Sequence, residues 1–161
     1  MTFVRGSRPS LAGVSFAIEG DPVAVGAARS IVRDLGGQSY PITRKEKTAY
    51  HAWGTFASPL LTALLATTEE VAALAGVTKK AARERMLPIL LQTIKNYGTF
   101  GAAGGFSGPI VRGDLETVRG HLAVLRKAGV PREVYVALAR AALEYLPAKK
   151  KTALRRLLEG G

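Results

Sequence analysis

Lys47, His51, Gly54 and Ser58 stand at i, i+4, i+7 and i+11 of a strongly apolar stretch, and that spacing puts all four on one stripe of a helix. The stretch around them, YHAWGTFASPLLTALLA, is too apolar for a helix that lies on a surface. A second apolar stretch, LPILL, runs into Gln92, Thr93 and Asn96, with Thr93 and Asn96 three apart on one face. Unpaired buried polar groups cost about 1–3 kcal/mol each, so two such stripes should satisfy each other, water or a ligand. A cleft lined this way suits general acid–base work by Lys47 or His51, with Ser58, Thr93 and Asn96 orienting a small polar substrate. The plainer alternative keeps His51 as a hydrogen-bonded core residue and Lys47 as an exposed first-turn side chain. Ser58 and His51 have no carboxylate in the pattern to orient the imidazole, so no nucleophile–base–acid triad is spelled.

Gly98, Gly101, Gly104, Gly105 and Gly108 invite comparison with phosphate-binding loops. They do not spell G-x-G-x-x-G, no strand precedes them and no G-K-[ST] follows, so neither a dinucleotide fingerprint nor a P-loop is present. Residues 98–113 read as a flexible connection between helices. The alternative has Ser107-Gly108-Pro109 and Arg112-Gly113-Asp114 bring backbone N–H groups and the Arg112 guanidinium near an anion at the start of the next helix, where Asp114 would compete as cap.

The elements that must position these groups follow from periodicity and punctuation. Residues 14–20 alternate as a short strand. Asp21-Pro22 opens a helix that Gly36-Gly37 closes, and Ser39 to Ile42 is a second strand. So small a strand–helix–strand unit cannot bury both faces of its strands and calls for a larger sheet. From residue 44 the pattern is helical only. One long helix is expected over 44–75, bent at Pro59, and a second over 79–97, capped by Thr78 and carrying Pro88. A third runs from Asp114 to Lys127 and a fourth from Pro131 to about Leu146, and residues 148–159 either add a last basic helix or fray as a solvated tail.

The 161 residues carry 47% apolar and 22% charged side chains, enough for a sizeable core. There is no cysteine and there are two histidines, which excludes thiol chemistry and cysteine-based metal sites and argues against any metal centre. Net charge is +11, and residues 76–161 account for +10 of it. The basic residues are mostly scattered, and their one cluster, Lys149 to Arg156, has no interleaved aromatics, which argues against nucleic acid as the partner. Neither a membrane span nor a leader is recognisable, and a cytoplasmic location is expected.

The combination of VSFAIEGD, LGG, K-x-x-Y-H-A-x-x-x-F-A-S at 47–58, AG at 75–76, LP at 87–88, T-x-x-N at 93–96 and S-G-P-I-V-R-G-D-x-E-T-V at 107–118 resembles one family. It is the domain-of-unknown-function family numbered 2520, the C-terminal half of Rossmann-like oxidoreductases, similar to pyrroline-5-carboxylate reductase and to the 6-phosphogluconate dehydrogenase C-terminal superfamily. The resemblance covers about residues 14–145. It implies a mainly α fold, with 1–43 as a strand–helix–strand remnant completing a Rossmann sheet and 44–161 as a helical dimerisation and substrate domain. In such relatives a nucleotide-binding domain precedes this region and ends in an H-P-x-x-x-F segment, within which Met1-Thr2-Phe3 would begin. The resemblance further implies a homodimer through the long helices and a cleft faced by Lys47, Tyr50, His51 and Ser58, with Thr93, Asn96 and Arg112 nearby. NAD(P) would serve as cofactor of the whole protein, reducing a small carbonyl or imine substrate. Lacking the glycine fingerprint, this chain alone is expected to hold no cofactor tightly and to be inactive or nearly so. The rival reading is a non-catalytic helical interaction module with structural polar pairs.

Overall fold

Proline, aspartate and glycine fix the first elements of the chain, seen here in a computed structural model that describes residues 5, 6, 8 and 10–160. The reading of Met1-Thr2-Phe3 lies outside the described residues. Strand β1 (Ser15–Ile18) leads into helix α1 (Pro22–Asp34), and strand β2 (Gln38–Pro41) follows. Asp21 accepts hydrogen bonds at Oδ1 from the backbone N–H groups of Val23 (3.0 Å) and Ala24 (2.9 Å), with Pro22 in the first turn where no amide is needed. The two strands pair in parallel, Ser15 opposite Gln38 through Ile18 opposite Pro41. Among the described residues this two-stranded sheet is the only one, and the rest of the chain is helical.

Helices α2 (Lys47–Ala57) and α3 (Pro59–Leu74) replace the single bent helix expected over 44–75. The break falls at Ser58, which leaves helical geometry at φ −134°, ψ −78°. A proline ring crowds the residue before it out of the helical region, so Pro59 opens a new helix rather than kinking an old one. Helix α4 (Lys79–Gly105) is capped by Thr78, whose Oγ1 accepts from the Ala81 N–H at 3.3 Å, and runs through Pro88.

The glycine-rich segment is not the flexible connection expected over 98–113. Helical structure continues to Gly105, and the chain turns sharply at Gly101, at φ 70°, ψ 179°. After that turn Gly105 lies so close to Asn96 and Tyr97 that a Cβ would stand 3.2–3.3 Å from their backbones. The glycines serve a tight reversal: one needs a positive φ, the other allows backbone to approach backbone. The short α5 (Pro109–Arg112) and then α6 (Leu115–Leu125), α7 (Val130–Tyr145) and α8 (Lys151–Glu159) complete the chain.

The chain divides into two compact units, Met1–Thr62 and Ala63–Gly161. In the second, Val118 and Leu122 of α6, Val136, Ala139 and Leu143 of α7, and Leu154 and Leu158 of α8 form the core. The basic C-terminal segment is therefore structural, with two leucines one turn apart pinning α8. Gly113, at φ 68°, packs against this end of the chain: a Cβ there would meet the Lys149 carbonyl oxygen at 2.8 Å. Helices α2 and α3 have no fully buried residue and α4 has only Ala82. Their large apolar side chains, Trp53, Phe56, Leu87, Ile89, Leu91 and Ile94 among them, are exposed. The sequence argument that such helices cannot lie on a surface thus meets a single chain in which they do. Among the described residues no single helix is long and apolar enough to cross a membrane.

Candidate functional site

Helix α2 carries the first group of sequence-derived residues. Lys47 opens it, and its exposed ammonium donates to Glu19 Oε2 at 2.9 Å. Glu19 follows β1 directly, so this ion pair ties the start of α2 to the carboxyl end of a parallel strand, the edge at which sheets of this kind place ligands. Its carboxylate is only 27% exposed, which makes it a more ordered partner than a freely solvated surface acid. Sequence reasoning did not single it out, although an acid at the carboxyl end of a strand was the available signal.

His51 lies one turn on from Lys47 and is exposed; its carbonyl accepts from the Thr55 hydroxyl at 3.0 Å. The imidazole is not sealed among hydrocarbon. Tyr50, half-buried, sits in a ladder of edge-to-face rings between Tyr40 of β2 (centroids 6.0 Å apart) and Trp53 (5.6 Å). The neighbouring Tyr50 phenol, together with desolvation, pushes the Tyr40 phenol up to about 12. That ring ladder fixes the face of α2 against the strand pair and leaves Lys47 and His51 toward solvent. Ser58 ends the helix, and its carbonyl takes both the amide (2.9 Å) and the hydroxyl (3.2 Å) of Thr62.

The second group belongs to the C-terminal unit. Thr93 is exposed and donates to the Ile89 carbonyl at 2.8 Å. Asn96, half-buried, accepts at Oδ1 from Gln92 Nε2 at 2.7 Å. Each polar group thus finds its partner within its own helix, and the expectation that two buried stripes satisfy each other does not describe these bonds. Arg112 is exposed, 4.0 Å from Asp114 Oδ2. Asp114 caps α6 through Oδ1 and the Thr117 amide at 3.1 Å; those hydrogen bonds, more than the nearby Arg112 and Lys150 charges, hold its carboxyl below the usual range. The carboxylate already occupies the N-terminus of α6, with the Arg112 and Lys150 charges beside it.

Two further pairs fasten α4 to α3: Arg83 with Glu69, at 2.9 Å, and Lys79 with Glu70. Hydrogen bonds from Arg83 hold Glu69 low, and Glu70 raises Lys79. Another unforeseen pair is His121 with Tyr135, 3.1 Å apart. They stand fourteen residues apart on different helices, a separation that no motif spacing marks. Among the described residues no group of three or more potential ligands could hold a metal ion.

The residues also bear on a nicotinamide dinucleotide. A pyrophosphate needs the N-terminus of the helix after the first strand and a backbone stripped of side chains there. In this chain the Asp21 carboxylate fills the N-terminus of α1, and the turn Glu19-Gly20-Asp21 offers one glycine between two acids. These residues do not fit the group.

A family model described as Domain of unknown function (DUF2520) matches residues 14–142. No curated protein and no solved structure matches the chain.

Proposed function

Within the DUF2520 family, to which this chain belongs, we propose that it is the helical dimerisation and substrate-cleft part of a cytoplasmic, NAD(P)-dependent reductase-like protein. The fold would be of the 6-phosphogluconate dehydrogenase C-terminal kind. The observation that carries this reading is the exposed face of α2, where an anchored ammonium and an imidazole stand one turn apart beside uncovered aromatic rings. The cofactor belongs to a separate nucleotide-binding domain, because this chain's own first strand–helix turn is closed by Asp21.

The chain's residues would then bind and protonate. Lys47 Nζ, held by Glu19, and the His51 imidazole can both hold a proton beside one small carbonyl oxygen or imine nitrogen. Tyr50, locked between two rings, gives the substrate a rigid wall. Ser58, Thr93, Asn96 and Arg112 are the proposed orienting groups. The apolar sides of α2 and α4 pack against a second copy, which supplies the cover they lack.

The test joins the chain to a nucleotide-binding domain and follows nicotinamide oxidation with a panel of small imines and carbonyl compounds. Turnover that falls at least about tenfold in His51→Gln or Lys47→Met, with substrate affinity little changed, supports the reading. Turnover indifferent to both substitutions refutes it.

A second reading has its own observation: Leu87, Ile89, Leu91, Ile94, Tyr97 and Phe100 leave α4 apolar on several sides. A non-catalytic interaction module would need no more than that. It expects Lys47 and His51 substitutions to change stability alone.

A further inference from the structure

The C-terminal unit contains a cleft of about 380 Å³ among α3, α6 and α7, apart from every residue discussed for the reductase-like site. Val71, Val124 and Leu138, all partly exposed, supply apolar walls from the three helices, and this open cleft has the volume of a small-molecule site. The hydroxyls that reach the wall are already used: Thr67 donates to the Ala63 carbonyl and Thr68 to that of Leu64, each at 2.9 Å. One polar pair remains, His121 Nδ1 and the Tyr135 hydroxyl, 3.1 Å apart with rings edge to face.

That pair has one hydrogen to spare. Burial raises the Tyr135 phenol above its ordinary value, so it keeps its hydrogen at neutral pH. If the phenol donates to Nδ1, the imidazole carries its hydrogen on Nε2. If Nδ1–H donates to the phenol oxygen, the phenol hydrogen is left over. Either way one hydrogen remains to be given to an acceptor outside the pair. No acidic side chain lines the cleft, and the unit that holds it, residues 63–161, is net +8 with Glu69 and Glu70 included, so the field favours an acceptor that is also an anion.

We propose that this cleft binds a small apolar carboxylate, its aryl or branched alkyl body among Val71, Val124 and Leu138 and its carboxylate accepting from the His121–Tyr135 pair. A carboxylate is the acceptor that gains most from such a donor, because charge-assisted hydrogen bonds exceed neutral ones.

Titration of the full chain with phenylacetate and with 4-methylpentanoate, read by NMR and calorimetry, tests this. Saturable binding is expected, with shifts at His121, Tyr135 and Leu138, and with phenylacetamide at least about tenfold weaker than phenylacetate. His121→Phe should remove that preference while leaving the amide's affinity as it was. Leu138→Trp should fill the cleft and abolish binding of both, with helicity retained. Should Leu138→Trp not fold, the His121→Phe comparison decides alone. Absence of saturation at millimolar acid, or equal affinity for acid and amide, overturns the proposal. So does a chain in which Leu138→Trp turns a dimer into a monomer and no acid binds, since the cleft would then be a surface between copies.

Discussion

Leu154→Ala removes most of a side chain that is only 1% exposed, held by α8 against Val118, Leu143 and their neighbours. The core cluster to which it belongs is seven buried side chains from three helices, so the loss opens a cavity that little else can fill. Truncations of this kind cost about 3–5 kcal/mol. For a unit near one hundred residues, at about 4 °C per kcal/mol, the thermal midpoint should fall by roughly 12–20 °C. Leu91 is the contrast: the same residue type, 59% exposed on α4. In dilute, monomeric protein Leu91→Ala should stay within about 0.5 kcal/mol of the parent. Urea and thermal unfolding, followed by far-ultraviolet circular dichroism, measure both. A Leu154→Ala cost below about 1 kcal/mol would refute the assignment of α8 to the core and return it to a solvated basic tail. A Leu91→Ala cost equal to that of Leu154→Ala in the monomer would refute the exposed placement of α4.

Asp114 gives a pH signature. Its folded-state carboxyl titrates below the unfolded one, so its stabilisation is complete above the unfolded aspartate value of about 3.9 and disappears as pH falls through the lower native value. Wild type and Asp114→Asn, an uncharged cap, should therefore differ in urea midpoint at neutral pH and converge below about pH 4. Among the five tyrosines, spectrophotometric titration should find one that ionises near 12, and Tyr50→Phe should bring it back toward its usual range; five ordinary phenols would contradict the Tyr40–Tyr50 contact. Gly113→Ala should cost about 1–3 kcal/mol through its positive φ and the Lys149 carbonyl. Gly120→Ala, where a Cβ meets open space inside α6, should stabilise by roughly 0.5–1 kcal/mol, and chemical denaturation separates the two.

Much of the architecture was legible because it rests on local chemistry. Asp21, Thr78 and Asp114 cap the helices their residue types announce, and Pro22 stands in the first turn of one of those helices. The mainly α fold with a short parallel strand pair follows from the change of period near residue 44. What was not legible depends on approach in space. Glycines at 98–108 lower helix propensity by about 1 kcal/mol each and so read as loop, but the reversal at Gly101 needs them where backbones meet. Periodicity puts Lys47 and His51 together on α2 and Thr93 and Asn96 together on α4, yet it says nothing of what covers a face. Lys47, Tyr50 and His51 share α2, but Ser58, expected on the same stripe, falls at the break that Pro59 forces, and the Glu19 partner that anchors Lys47 comes from 28 positions away. His121 and Tyr135 join only because α6 and α7 pack together.

The uncovered apolar helices give the account its most direct test, sedimentation equilibrium of the full chain from low to high micromolar concentration. The account expects a reversible monomer–dimer equilibrium, a thermal midpoint that rises with protein concentration, and a shift to monomer in a Leu91→Glu, Ile94→Glu chain that keeps its helicity. A chain that stays monomeric throughout, with a midpoint independent of concentration, would contradict it.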